Sequence, residues 1–143
     1  KTKGNGVCFC LDCGNQRRWN YPINSVVLTG ARIAGGSDWT VSSLNPLDAI
    51  EVAITRREPG KKDGDALYPE EAVALETILR AYTMAGAFSL FKEHEIGSLE
   101  KGKLADIIIL DRNLFQIPAH EIHSAKVVQT IFNGEIVYSI GDK

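Results

Sequence analysis

Residues 31–38 read Ala31-Arg32-Ile33-Ala34-Gly35-Gly36-Ser37-Asp38, a short apolar run that stops at two glycines and a polar pair. Such a run predicts a buried strand near residues 31–35 that ends in a tight, close-packed turn. Ser37 and Asp38 then stand at the carboxyl end of that strand. Upstream, Pro22 to Leu28 reads as a short helix with proline at its start and Gly30 as its carboxyl-terminal cap. Downstream, Asn45-Pro46 opens a second helix near residues 46–55, with Asn45 as the cap and Pro46 at the first helical position. Leu47, Ile50 and Ile54 recur along it at helical spacing.

Residues 56–67 are dense in charge and glycine and read as an exposed loop. Pro69-Glu70-Glu71 opens the strongest helical pattern, near residues 70–82, with acidic residues in its first turn and Ala72, Leu75, Ile78, Leu79 and Tyr82 on one apolar face. Thr83 can cap a further helix near residues 84–91, where Ala85, Gly86 and Ala87 permit close packing. After Phe91 the period switches to two. Residues 105–110 read as a strand, and 127–138 as a hairpin whose Asn133-Gly134 pair suits a two-residue type I′ turn. Pro118 to His123 between them reads as a turn or one helical turn. The order strand, helices, strands predicts a mixed α/β fold.

The 143 residues amount to one domain and exclude a complete TIM barrel, which needs about 250. Sixteen basic against 18 acidic residues leave a net charge of −2, which argues against a general nucleic-acid or anionic-membrane surface. The first 20 residues are locally basic, with Lys1, Lys3, Arg17 and Arg18 against Asp12. No apolar run approaches the roughly 18–20 residues of a membrane span, and the start lacks a signal-peptide core, so a soluble, cytoplasmic protein is expected. Cys8, Cys10 and Cys13 are too few and too clustered for a disulfide framework or a four-ligand zinc site. A reduced amino-terminal stretch is the plainer reading and a metal or redox-sensitive cluster the sharper one.

Asp38 is the leading candidate for chemistry. A carboxylate at a strand end beside two glycines can bind a metal or take a proton from water, although an aspartate there also commonly forms a turn or caps a helix. Trp39 could line a pocket or simply pack beside the strand end. His120 and His123 are spaced to share a helical face, but no carboxylate or cysteine partner stands out, and surface or turn positions are expected for them and for His94. Gly97-Ser98-Leu99-Glu100-Lys101-Gly102-Lys103 faintly suggests a phosphate loop but lacks the Gly-Lys-Ser/Thr ending. The 56–67 loop is a candidate pocket wall or lid, with a plain solvated loop equally open.

Taken together, four stretches resemble a known family. Gly36-Ser37-Asp38-Trp39 with Asn45-Pro46-Leu47 looks like the last barrel strand of the metal-dependent amidohydrolases. The nearest branch is the one that includes N-substituted formamide deformylases and exoenzyme-regulatory proteins. Leu79-Arg80-Ala81-Tyr82-Thr83, with Ala87, Leu90 and Phe91, resembles the helix pair that follows that strand. Gly97 to Asp106 is similar to the signature leading into the carboxyl-terminal β-domain, and Phe132 to Tyr138 to the closing hairpin. The likeness runs over residues 19–138; Thr40 stands where proline is usual.

The resemblance implies the last strand and helices of a (β/α)8 barrel in residues 19–96 and part of a small β-sandwich domain in 97–143, with 1–18 unassigned. It implies hydrolysis of carbon–nitrogen bonds in amides, formamides or cyclic amides. Asp38 is then both a ligand of a divalent metal, zinc in the parent family, and the general base and acid for the hydrolytic water. The family's histidine and lysine ligands lie on earlier strands that this sequence does not show. The chain is therefore expected to bind no metal and to be inactive alone, and to associate with itself or with the missing barrel segment. The alternative is a non-catalytic, self-associating structural or regulatory module derived from an amidohydrolase.

Overall fold

The computed structural model describes residues 20–141, so Cys8, Cys10 and Cys13 lie outside the described residues. Among the described residues four α-helices come first: α1 (Ile23–Leu28), α2 (Pro46–Thr55), α3 (Leu75–Tyr82) and α4 (Met84–Ser89). Three strands follow: β1 (Ile107–Leu110), β2 (Val127–Phe132) and β3 (Glu135–Ser139). Short 3-10 helices occupy Pro69–Glu71 and Ala119–Ser124. The mixed α/β expectation holds, in the expected order from the first helix onward.

The core gathers around α2. Asn45 caps it, its side-chain oxygen accepting the Leu47 N–H at 3.1 Å, and Pro46 occupies the first turn. Leu47, Ile50 and Ala53 bury one face against Val73, Ile78 and Ala81 on one side and Leu114, Ile122 and Ala125 on the other. The 119–124 turn and α3 are the elements packed on α2. Among the strand residues, Leu110 reaches this core.

Three expectations are corrected. No strand forms at 31–35: these residues pair with no strand, because the only described sheet is β1-β2-β3. Ladder partners, not apolar character alone, make a strand. The helix expected over 70–82 is broken into the 69–71 turn and α3. Ala72 and Ala74 are extended, and the Val73 N–H bonds the Ala53 carbonyl at 3.1 Å. That carbonyl lies in the last turn of α2 and has no helical partner of its own, so a tertiary bond outbids helix propensity at Val73. Thr83 does not cap α4 with its side chain; its hydroxyl donates back to the Leu79 carbonyl at 2.8 Å.

The sheet is antiparallel in the order β1-β2-β3, with Ile107 opposite Ile131 and Thr130 opposite Tyr138. Asn133 and Gly134 both take positive φ (50° and 83°), as a type I′ turn requires. The turn is docked to the start of β1: Asp106 accepts the Asn133 N–H at 2.8 Å, and the Ala105 carbonyl accepts the Gly134 N–H at 3.1 Å.

Candidate functional site

The segment leading to Asp38 is held by α3 and α4 rather than by a sheet. The Gly35 N–H donates to the Ala81 carbonyl at 2.9 Å, at the end of α3. Gly35 lies so close to Tyr82 that an added Cβ would sit 2.5 Å from a ring carbon, so any other residue here would displace the Tyr82 ring. Burial raises the Tyr82 hydroxyl pKa above its ordinary value. The Arg32 guanidinium stacks 4.0 Å from the centre of the Phe88 ring, and Ile33 packs against the core. The chain then turns at Asp38, in the left-handed region (φ 48°), with its carbonyl accepting the Val41 N–H at 2.7 Å. The Ser42 hydroxyl bonds the Ser37 carbonyl across the same turn. Asp38 and Trp39 are exposed rather than sunk at the end of a buried strand.

Among the described residues, no group of three or more His, Cys, Asp or Glu side chains could hold a metal ion. Among the described residues, Asp38 is therefore without the companion side chains of a tight site, which takes three or four protein ligands at fixed geometry. Two open grooves, of about 390 and 480 Å³, meet at Met84 and Glu100, and Asp38 lines neither.

His123 lies in the 119–124 turn, as expected for a turn histidine, but it does have a carboxylate partner. Glu51, on the buried face of α2, accepts both the His123 backbone N–H (2.8 Å) and its ring Nδ1–H (2.7 Å), across 72 residues of sequence. The His120 ring instead lies 3.8 Å from the half-exposed Glu121. Glu51 was missed, although its place four residues after Leu47 puts it on the apolar stripe, where a carboxylate needs donors.

A second carboxylate joins α1 to the 69–71 turn. Glu71 accepts the Ser25 backbone N–H at 2.8 Å and the Ser25 hydroxyl, and these bonds hold its carboxyl below the usual glutamate pKa. Behind it Arg56, read as part of an exposed loop, is in fact buried at the left-handed cap of α2. Burial lowers its pKa, and Glu71 and Glu70 partly offset that. Lys103 settles the 97–103 loop. Its ammonium donates to the Glu93 carbonyl and the Ser98 hydroxyl, both at 2.6 Å, and lies 3.4 Å from Glu100. Three donors meet three acceptors, so this lysine staples the turn and is not free for a phosphate.

A model of the amidohydrolase family matches residues 9–138, taking in part of the amino-terminal stretch expected to lie outside it. The chain is 36% identical over 119 residues to the protein LONG AFTER FAR-RED 3 of Arabidopsis thaliana, covering 83% of this chain and 20% of that one. It is 30% identical over 118 residues to the N-substituted formamide deformylase of Arthrobacter pascens, covering 82% and 21%. It thus spans about a fifth of the length of these relatives. In fold it is similar to an amidohydrolase from Thermotoga maritima MSB8, with a TM-score of 0.62 at 21% identity over 82% of this chain and 25% of that one. With the family's match running through both the helices and the sheet, the chain belongs to the amidohydrolase family.

Proposed function

We propose that this chain is a segment of a hydrolase acting on carbon–nitrogen bonds other than peptide bonds, and that Asp38 is its contribution to the hydrolytic centre. The observation that supports this best is the placement of Asp38. It is an exposed carboxylate at a corner braced by Gly35 on Tyr82, within a chain matched by the family over residues 9–138. In this reading residues 31–35 take the place of the last barrel strand, 19–96 are the end of the barrel, and 97–143 are part of the small β-domain. Formamides and related amides are the substrate class, by analogy with the deformylase relative.

Asp38 can accept a proton from the attacking water and return it to the departing nitrogen. No step is assigned to a metal, because the described residues offer Asp38 no companion ligands. The test is elemental analysis of the purified chain with a hydrolysis screen on N-substituted formamides and amides. The expected result is no stoichiometric zinc and no turnover by the chain alone. In a full-length enzyme containing this segment, Asp38→Asn removes nearly all turnover, since a neutral amide cannot take the proton. Near one equivalent of metal in the chain itself, lost together with measurable hydrolysis on Asp38→Asn, would show that the site is complete. A second reading, a self-associating module without catalysis, is favoured by the exposed apolar sheet and is tested by solution size.

A further inference from the structure

We propose that the 57–66 loop is a strap held shut by one buried latch, the Glu51 carboxylate with the His123 imidazole, and that it opens locally while the helical core stays folded. Glu51 has no exposed surface. Its two oxygens serve two different segments. Oε1 accepts the Gly60 N–H at 2.6 Å, and Oε2 accepts the backbone N–H and the ring of His123. A carboxylate only accepts, so the shared ring proton is on Nδ1. Gly60 also lies against the imidazole: a Cβ built on it would sit 3.2 Å from the ring.

The neck of the loop is tied independently of this latch. Leu67 N–H bonds the Arg56 carbonyl at 2.8 Å, and Arg56 Nε–H returns a bond to the Leu67 carbonyl at 3.0 Å. Between neck and latch the chain bonds itself, as from Arg57 Nε to the Gly64 carbonyl at 2.9 Å. Residues 61–65 are exposed, and no residue of 57–66 belongs to the apolar core. With no apolar burial holding its tip, the loop depends on the Gly60–Glu51 bond. A segment whose tip is secured mainly by polar bonds opens at a lower free energy than the core around it. Because His123 shares the carboxylate and touches Gly60, it sets how firmly that bond is held. Opening uncovers the Glu51 carboxylate, while the His123 ring already has one side in solvent.

The test uses native-state hydrogen exchange and limited trypsin cleavage after Lys61 and Lys62. In the unaltered chain, the Gly60 amide is expected to exchange by a local opening that low urea does not accelerate. The Ile78 and Ala81 amides of α3 should instead respond to urea. His123→Leu keeps bulk but removes the donor, and should raise loop cleavage and Gly60 exchange about tenfold or more, the scale of a lost hydrogen bond to a charged group. His123→Asn restores a short N–H donor and should recover most of the protection. Three outcomes would overturn the proposal: Gly60 exchanging in step with Ile78 and Ala81, loop cleavage unchanged in His123→Leu, or leucine tolerated while asparagine loosens the loop. The last would mean that packing, not the latch, holds it.

Discussion

Glu71 and Glu51 are both carboxylates removed from solvent, and the difference in their partners decides what each contributes. Glu71 is held by Ser25, through its hydroxyl first and its backbone N–H second, and its carboxyl pKa is lowered as a result. A carboxyl depressed in the folded chain binds its proton more readily once unfolded, so stability rises with pH through the acid range. The contribution is present above the ordinary glutamate value of about 4.3 and is lost as pH falls through the lower folded value. Urea midpoints measured from neutral pH downward should show this acid limb, and Glu71→Gln should shrink it while remaining less stable than the parent at neutral pH. A limb of equal depth in Glu71→Gln would assign the acid sensitivity elsewhere, for instance to Asp111, which Arg112 and the Lys126 N–H also hold low. Neither pairing is legible in the sequence. Ser25 and Glu71 lie 46 residues apart, and Glu51 and His123 lie 72 apart. Glu51 alone leaves a trace, as a charge on an apolar stripe; the identity of its partner is a product of the tertiary fold.

At the scale of elements, legibility follows how much of an element's determination is local. The second helix was readable to its ends because Asn45, Pro46 and the Leu47–Ile50–Ile54 spacing all act within a few residues. The hairpin was readable for the same reason, since Asn133-Gly134 tolerates the positive φ of its turn. The 70–82 pattern failed where Val73 found the free carbonyl of Ala53, a partner that helix periodicity cannot reveal. The 31–35 run failed in the opposite way: its apolar character is right for a strand, but a strand also needs neighbours, and here the segment leans on Ala81 and Tyr82 instead. Asp38 is singled out by its neighbours in sequence, while its exposure and its turn geometry depend on what lies beside it in space. The local account of α2 carries a prediction. Asn45→Ala removes the acceptor for the Leu47 N–H and should destabilise the chain by about 1 kcal/mol. Asn45→Ser or Asn45→Asp should restore most of it. Equal unfolding midpoints for all three variants would mean that packing, not the cap, sets where α2 begins.

For the molecule as a whole, the helical half has a core and the sheet has almost none. Ile108, Ile109, Phe132, Ile136, Val137 and Tyr138 all remain substantially exposed, and β1 and β3 each have one edge unpaired among the described residues. No helix among those residues is long and apolar enough to cross a membrane. Unpaired strand edges with apolar residues on both faces are templates for pairing with another chain. Self-association through the sheet is therefore the expected behaviour of this chain in solution. The test combines light scattering across a concentration series with a substitution on the outer strand. Val137 alternates with Ile136 and Tyr138 along β3 and is 59% exposed, so Val137→Lys sets a charge on that strand without opening a hole in the helical core. The parent should gain mass with concentration, and Val137→Lys should shift it towards the monomer, because bringing two such strands together would then bury an unpaired ammonium. A parent that stays monomeric at high concentration would show that the three strands suffice by themselves. An assembly that survives Val137→Lys unchanged would move the contact to another apolar surface, where Leu28, Trp39, Val41 and Leu44 are also exposed.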